Sequence, residues 1–568
     1  PGTIINRSIG EGEGLQVQPG KTIALVGGEV LMESGIIFAP GARIELGSVG
    51  DDSLVHLTPM VFGWDLDYEG VENFQDIQLS EVAFASTRGE NSGDIQLDGS
   101  RIAITSGSGV VTENQGVNRG GSITVTASES LELDRGELTS GKSFEATAIA
   151  GDIVIMTTRL IVGNGSFIDT DSEGSGQGGN IIINATKSVE VNGEEEFSRI
   201  TTRAFSGTSN AGNLEITTEQ LIIRDGGQIT SSTFGSGNGG NVIVDASEYV
   251  EVTGSNSSFD GRSGLLTETS DSLSPISNGN GGNISINTGR LSVQDGGTIS
   301  VAATEGSTGR AGNIEIDANS LSLNQGTITA ETAQTGGEAG ANINLKISDL
   351  LTLKNESLIS ATANGLANGG NIDINANFVI AFPNQNNDII ARAAQGIGGN
   401  INITTRGIFG IEARNSNPPN NTNDIDASSQ FGLDGTITIN EIDVDPTEAL
   451  EELPTDVIDI AGLIERNLCQ QAKGSEFIIT GKGGLAPAPS EVIDGNISEV
   501  DLVEPVIVSE NSEVEDKKDW QNAPPEVKKE IVEAQGWIVD EEGIVELVAY
   551  KTDVNGFPSQ PNHQQVCQ

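Results

Sequence analysis

Histidine and cysteine are almost missing from this chain, with two of each in 568 residues. His56 and His563 lie far apart in the sequence, so neither a multi-histidine metal site nor a Ser-His-Asp or Cys-His catalytic set finds support. Cys469 and Cys567 form no CxxC pair, which removes the thioredoxin-like and zinc readings. They are either a disulfide or two free thiols. As a disulfide they would close a loop of about 100 residues, worth on the order of 4–5 kcal/mol in the chain-entropy model. Aromatics make up 4% of the residues, few for a lectin that stacks sugars on ring platforms. No apolar run reaches the roughly 18 residues that a membrane-spanning helix needs. Basic residues number 29 against 81 acidic ones, a formal net charge of -52. That charge repels nucleic acid and anionic bilayers. No cofactor is implied, although loosely bound Ca²⁺ would suit such acidity.

What the chain has in quantity is glycine, 74 residues with no Gly-x-y period, and a repeat. Gly281-Gly282-Asn283-Ile284-Ser285-Ile286 opens one copy, Leu291-Ser292-Val293-Gln294-Asp295-Gly296-Gly297 continues it, and Thr298-Ile299-Ser300-Val301 closes it. The slot of Asn283 recurs as Asp94, Ser122, Asp152, Asn180, Asn213, Asn241, Asn283, Asn313, Asn342, Asn371 and Asn400. Steps are about 29 residues, except for a longer one between Asn241 and Asn283. A fixed period of roughly 20–50 residues marks a repeat architecture, in which no copy buries its apolar face alone. Each copy carries three short runs of alternating apolar residues, and period-2 alternation means strand. Three strands per turn, each stacked in parallel on its counterpart, predict an all-β fold. The expected form is a right-handed single-stranded parallel β-helix, a pectin-lyase-like solenoid. Eleven copies at a strand spacing of about 4.8 Å make a rod roughly 50 Å long.

The Asn slot is expected to build a structural ladder, with side-chain amides bonding one another and the turn backbone. The alternative is a ligand site. The Gly-Gly pairs before it read as turn residues that tolerate positive φ. They are not phosphate loops, because none runs into a helix with a following Lys-Ser or Lys-Thr.

Residues 1–50 read as earlier, tighter rungs. Ala24-Leu25-Val26-Gly27-Gly28-Glu29-Val30, followed by Ala39-Pro40-Gly41-Ala42-Arg43-Ile44-Glu45-Leu46-Gly47-Ser48-Val49, resembles the closing part of the secretion domain of filamentous-haemagglutinin-like exoproteins, in the form abundant in cyanobacteria. Tyr68 to Ser80, Ala427 to Thr436 and Phe477 to Pro487 resemble the same family. The resemblance implies a two-partner secretion system, with export through an outer-membrane β-barrel transporter, and a β-helical passenger. It implies a secreted or surface-exposed location, associated with the outer membrane. The Asn-Pro-Asn-type motif of the family's secretion domain is not in this sequence. Pro1-Gly2-Thr3 reads as mid-domain sequence, so the natural product is expected to begin further upstream.

These readings divide the chain into the closing part of the secretion domain (1–50), β-helix repeats (51–440), a capping segment (441–485), an acidic linker (486–523) and a small helix-hairpin unit (524–568). Phe62, Trp64, Tyr68 and Phe74 concentrate aromatics in residues 51–90, as an excursion packed on the helix or as a binding patch. The excess of the longest step lies in Gly254–Asn280 and reads as a tolerated loop, or as a site on one face. Val457, Ile460, Ile464 and Leu468 are spaced for one face of a helix that would cap the solenoid. Trp537-Ile538-Val539 and Ile544 to Val548 read as a hairpin.

The function implied is a non-enzymatic structural or adhesive exoprotein, with a cell-surface or extracellular polysaccharide among its candidate targets. One alternative is a polysaccharide lyase or hydrolase on the same architecture, which needs clustered carboxylates and a basic residue on adjacent rungs. No Asp-x-Asp with Arg or Lys in neighbouring rungs stands out in the sequence. The other alternative is a toxin-delivery stalk.

Overall fold

The computed structural model describes residues 1–442, apart from 10–13, 62, 145, 257–260, 270–278, 305–306, 334–339 and 417–419. It also describes the backbone of 536–539 and 545–548. The chain divides into two units, 1–446 and 447–568. The first is a parallel β-helix. Two sheets run along it, one of 17 strands and one of 15. Each strand pairs in parallel with its equivalents in the rungs on either side, as Ile181–Asn192 does with Ile153–Gly163 and Leu214–Arg224.

A rung holds two strands rather than the three expected. The first two apolar runs fuse into one long strand, for example Ile181–Asn192, and the third is a short one such as Arg199–Ala204. The fusion has a physical cause. Ala185 and Val189 both point inward, but Lys187 between them is exposed where strict alternation would bury it, and the pairing register shifts there. A bulge of this kind bends a strand without ending it. One bent strand thus supplies two walls of the coil. In the opening rungs the halves are separate: Arg43–Ser48 and Ile77–Ser80 pair with the two halves of Ile95–Thr105. The residues between them leave the coil at that corner. There His56–Pro59 pairs antiparallel with Trp64–Asp67.

Inward positions repeat by column. Ile123, Ile153, Ile181, Leu214, Val242, Ile284, Ile314, Ile343, Ile372 and Ile401 are all fully or nearly fully buried. Side chains one rung apart touch along the axis, which makes a single continuous core. The last strand described in the first unit, Ile437–Glu441, pairs with Ile401–Phe409.

The aromatic-rich stretch packs in part. Leu66 and Tyr68 are buried with Val49, against Val26, Val55, Val71 and Phe74, while Trp64 stays half exposed. Phe62 is outside the described residues. Within the excess between Asn241 and Asn283, Ser255–Asn256 pairs antiparallel with Gly261–Arg262, and residues 270–278 lie outside the described residues. In the second unit Gly536–Val539 pairs antiparallel with Val545–Val548. Cys469, Cys567, His563, the capping segment from residue 443 to 485 with its expected helix, and the linker lie outside the described residues. Among the described residues no helix is long and apolar enough to cross a membrane.

Candidate functional site

Each short strand turns its second, fourth and sixth residues inward and its first, third and fifth outward. The outward positions of neighbouring rungs therefore form three columns. In Phe167–Ser172 they are Phe167, Asp169 and Asp171, and in Arg199–Ala204 they are Arg199, Thr201 and Arg203. Asp169-Thr170-Asp171 thus faces two arginines of the next rung. This is the constellation that did not stand out in the sequence.

The four charges form one network. Arg203 grips Asp171 through Nε and Nη2, each at 2.9 Å. Its Nη2 also reaches Asp169 Oδ2 at 3.2 Å, and Arg199 Nη2 reaches the same oxygen at 3.3 Å. The guanidiniums lie over aromatic rings, Arg199 over Phe167 at 4.2 Å and Arg203 over Phe205 at 4.7 Å. Phe205 stacks on Phe234 of the following rung, with centroids 5.8 Å apart. Rings on one side and neighbouring strands on the other take Asp169 out of water, and its Oδ1 is buried without a hydrogen-bond partner. Burial, with the charge of Asp171 adding to it, pushes the Asp169 carboxyl up to about 6 against the pull of both arginines. A desolvated group resists ionising unless its partners outweigh the loss of water.

Beside this network a groove of about 710 Å³ runs along the same face. Arg88, Glu113, Lys142, Phe144, Asp171, Glu173 and Phe205 line it. Phe144 is 66% exposed. Arg88 pairs with Glu113 at 3.0 Å. The Lys142 ammonium folds back onto the carbonyls of Ala146, Glu173 and Ser175, and burial lowers its pKa.

The eight asparagines of the repeat slot form one column along a corner of the coil. Oδ1 of each accepts the backbone N–H of the next, at 2.8–3.0 Å from Asn180 through Asn400. Asp94, Ser122 and Asp152 continue the column by accepting in the same way, and at the far end Asn400 accepts from Thr436 at 3.3 Å. A second column, Asn210, Asn238 and Asn280, runs beside it with the same geometry. Asn368 repeats it further along, accepting from the N–H of Ile397 at 2.8 Å. The sequence reading missed this column because the rungs between Asn280 and Asn368 do not carry it.

The Gly-Gly pairs need a different explanation from the one expected. None of them has positive φ; the left-handed glycines are elsewhere, as Gly226 and Gly296. The second glycine of each pair lies against the carbonyl of its counterpart one rung back. A Cβ on Gly212 would overlap the oxygen of Gly179, and one on Gly240 that of Gly212. Inward hydroxyls bond the same carbonyls, Thr170 to Gly179 and Thr202 to Gly212, both at 2.7 Å.

Charged clusters also lie near both ends of the described coil. Near the last rungs Asp424 and Asp426 meet Asp388, Arg392 and Arg414; Arg414 Nε donates to Asp424 at 2.5 Å. Near the first rungs the fully buried Glu45 pairs with Arg43, which also reaches Asp65 at 2.8 Å. His56 is exposed on the antiparallel pair. Among the described residues no three His, Cys, Asp or Glu are placed to hold a metal ion.

No family model matches this chain, no curated protein matches it, and no solved structure matches it.

Proposed function

We propose that this chain is the β-helical body of an adhesive exoprotein, exported through an outer-membrane partner transporter and held at or released from the cell surface. The observation that carries this reading is the way the rungs template one another. Strand Ile123–Asp134 pairs only with the rung before it and the rung after it. Such a coil grows by adding one rung to the last, so it suits a chain that emerges end first from a narrow pore. The sequence resemblance of residues 24–49 and 427–436 to haemagglutinin-like exoproteins points the same way, and the outward face of the short strands offers the contact surface. Fractionation of the native host with and without the transporter tests this. The protein is expected on the surface or in the medium only when the transporter is present. Protein held inside the cell in both strains would sink the proposal.

A second reading, a polysaccharide-cleaving enzyme, is favoured by Asp169 and Asp171 facing Arg199 and Arg203 on adjacent rungs. Against it stands the burial of Asp169 beneath both guanidiniums, where a substrate oxygen has little access. New reducing ends or unsaturated products from polysaccharides treated with the purified chain would decide for it.

A further inference from the structure

We infer that the groove between Arg88 and Phe205 binds a neutral glycan, laid along the outward face of the short strands. The inference rests on the adhesive reading and names the ligand class of that surface.

The cations of the groove are already engaged. Arg203 is held by Asp171 and Asp169, Arg88 by Glu113, and Lys142 by three backbone carbonyls. No strong attraction for a phosphate, sulfate or uronate is left over, and the net charge of -52 repels a polyanion at a distance. What the groove does offer is acceptors and rings. Carboxylates have about four lone-pair sites each, and the arginine partners of Glu113 and Asp171 use only some of them. Such groups take hydrogen bonds from hydroxyls. Phe144 projects from one rung, and Phe205 stands two rungs on, backed by Phe234. These rings give apolar platforms beside the acceptors. A ligand with many hydroxyl donors, no charge and flat C–H faces matches both features, and that is the chemistry of a neutral saccharide. The salt-bridge network keeps Asp171 and Phe205 fixed before binding, which reduces the ordering cost of association.

Affinity electrophoresis of the full chain tests this, in gels containing laminarin, mannan or dextran, with alginate and heparin as charged counterparts. Retardation is expected in at least one neutral gel. Phe144→Ala and Asp171→Asn are each expected to weaken it at least tenfold. Phe144 is exposed, so its substitution should leave the melting transition in place. Migration unaffected by every neutral polymer would overturn the inference. So would retardation that both variants retain in full, or stronger retardation by alginate or heparin than by any neutral gel. Export is read separately by fractionation. A chain that reaches the surface and ignores neutral glycans sinks the ligand assignment alone, and one that binds them but stays inside the cell sinks the export reading alone.

Discussion

Asn371 accepts two hydrogen bonds from Asn400 at a single oxygen, the backbone N–H at 3.0 Å and the side-chain amide at 3.1 Å. The column therefore serves the turn backbone first, and the amide stacking is secondary. This predicts which substitutions the slot tolerates. Asn371→Leu removes the acceptor of the exposed Asn400 N–H, which water can replace in part, so the cost is that of one net hydrogen bond, about 0.5–1.5 kcal/mol. Asn371→Asp keeps the acceptor and should cost clearly less, since Asp152 already accepts from Asn180 at 2.8 Å in an equivalent slot. Urea melts of the two variants check the order. Equal losses would mean that the donor half of the amide matters as much.

The glycine before each asparagine is fixed by contact between rungs. Gly212→Ala would drive a methyl into the carbonyl of Gly179, so overpacking of roughly 1–3 kcal/mol is expected, with loss of amide protection centred on neighbouring rungs. One rung already carries alanine there, Ala341. Its change to glycine is expected to alter stability by less than the Gly212 substitution. Hydrogen exchange over residues 170–245 separates a local effect from a global one.

Arg203 is the hub of the outward network. Arg203→Lys keeps the charge but loses the paired grip on Asp171 and the flat contact with Phe205. A lysine ammonium is a point charge and cannot replace the planar fork. The variant is expected to melt lower by an amount corresponding to about 1–2 kcal/mol. Arg203→Ala should cost more, because the buried Asp169 then keeps only Arg199. If Arg203→Lys and the parent melt together in low and high salt, the network contributes nothing to the fold.

The coil was legible from Asn180 to Asn400 because a constant residue marks a constant turn, and each rung repeats the same inward Ile, Leu or Val. The fusion of two strands into one was not legible. Thr186, Lys187 and Ser188 look like a polar turn, yet the strand runs through them as a bulge, and pairing resumes at Ser188. The Asp-Arg network was hidden for another reason. Asp169 and Arg203 are 34 residues apart, and the step from Asn180 to Asn213 is longer than its neighbours, so only pairing by strand register places them together. Aligning Phe167-Ile168-Asp169-Thr170-Asp171 directly on Arg199-Ile200-Thr201-Thr202-Arg203 would have exposed the shared face. The glycine pairs carried no sequence signal that distinguishes close contact from positive φ.

Glu45 gives the chain a pH dependence with a definite sign. It is fully buried and paired with Arg43, and burial raises its pKa from an ordinary 4.5 to about 8, with Asp98 and Asp65 adding to the rise and Arg43 opposing it. Asp98 moves the same way, to about 6, through its own burial. A carboxyl that holds its proton more tightly when folded favours the folded state at low pH. That contribution is present below about 4.5 and is lost as pH climbs through about 8. The effect is centred on the corner where Tyr68 and Asp65 bring residues 49–74 against the coil. Glu45→Gln removes the titration and leaves the other carboxylates to cancel in the comparison. Its melting temperature relative to the parent is expected to rise steadily from pH 5 to pH 8.5, by an amount on the order of 2–4 kcal/mol. The slope carries the test, since the pull of Arg43 on the ionised carboxylate is already contained in the raised pKa, and a packing difference between Gln and neutral Glu adds only a constant offset. A gap that stays flat, or closes with rising pH, would mean that Arg43 outweighs burial and holds Glu45 ionised throughout.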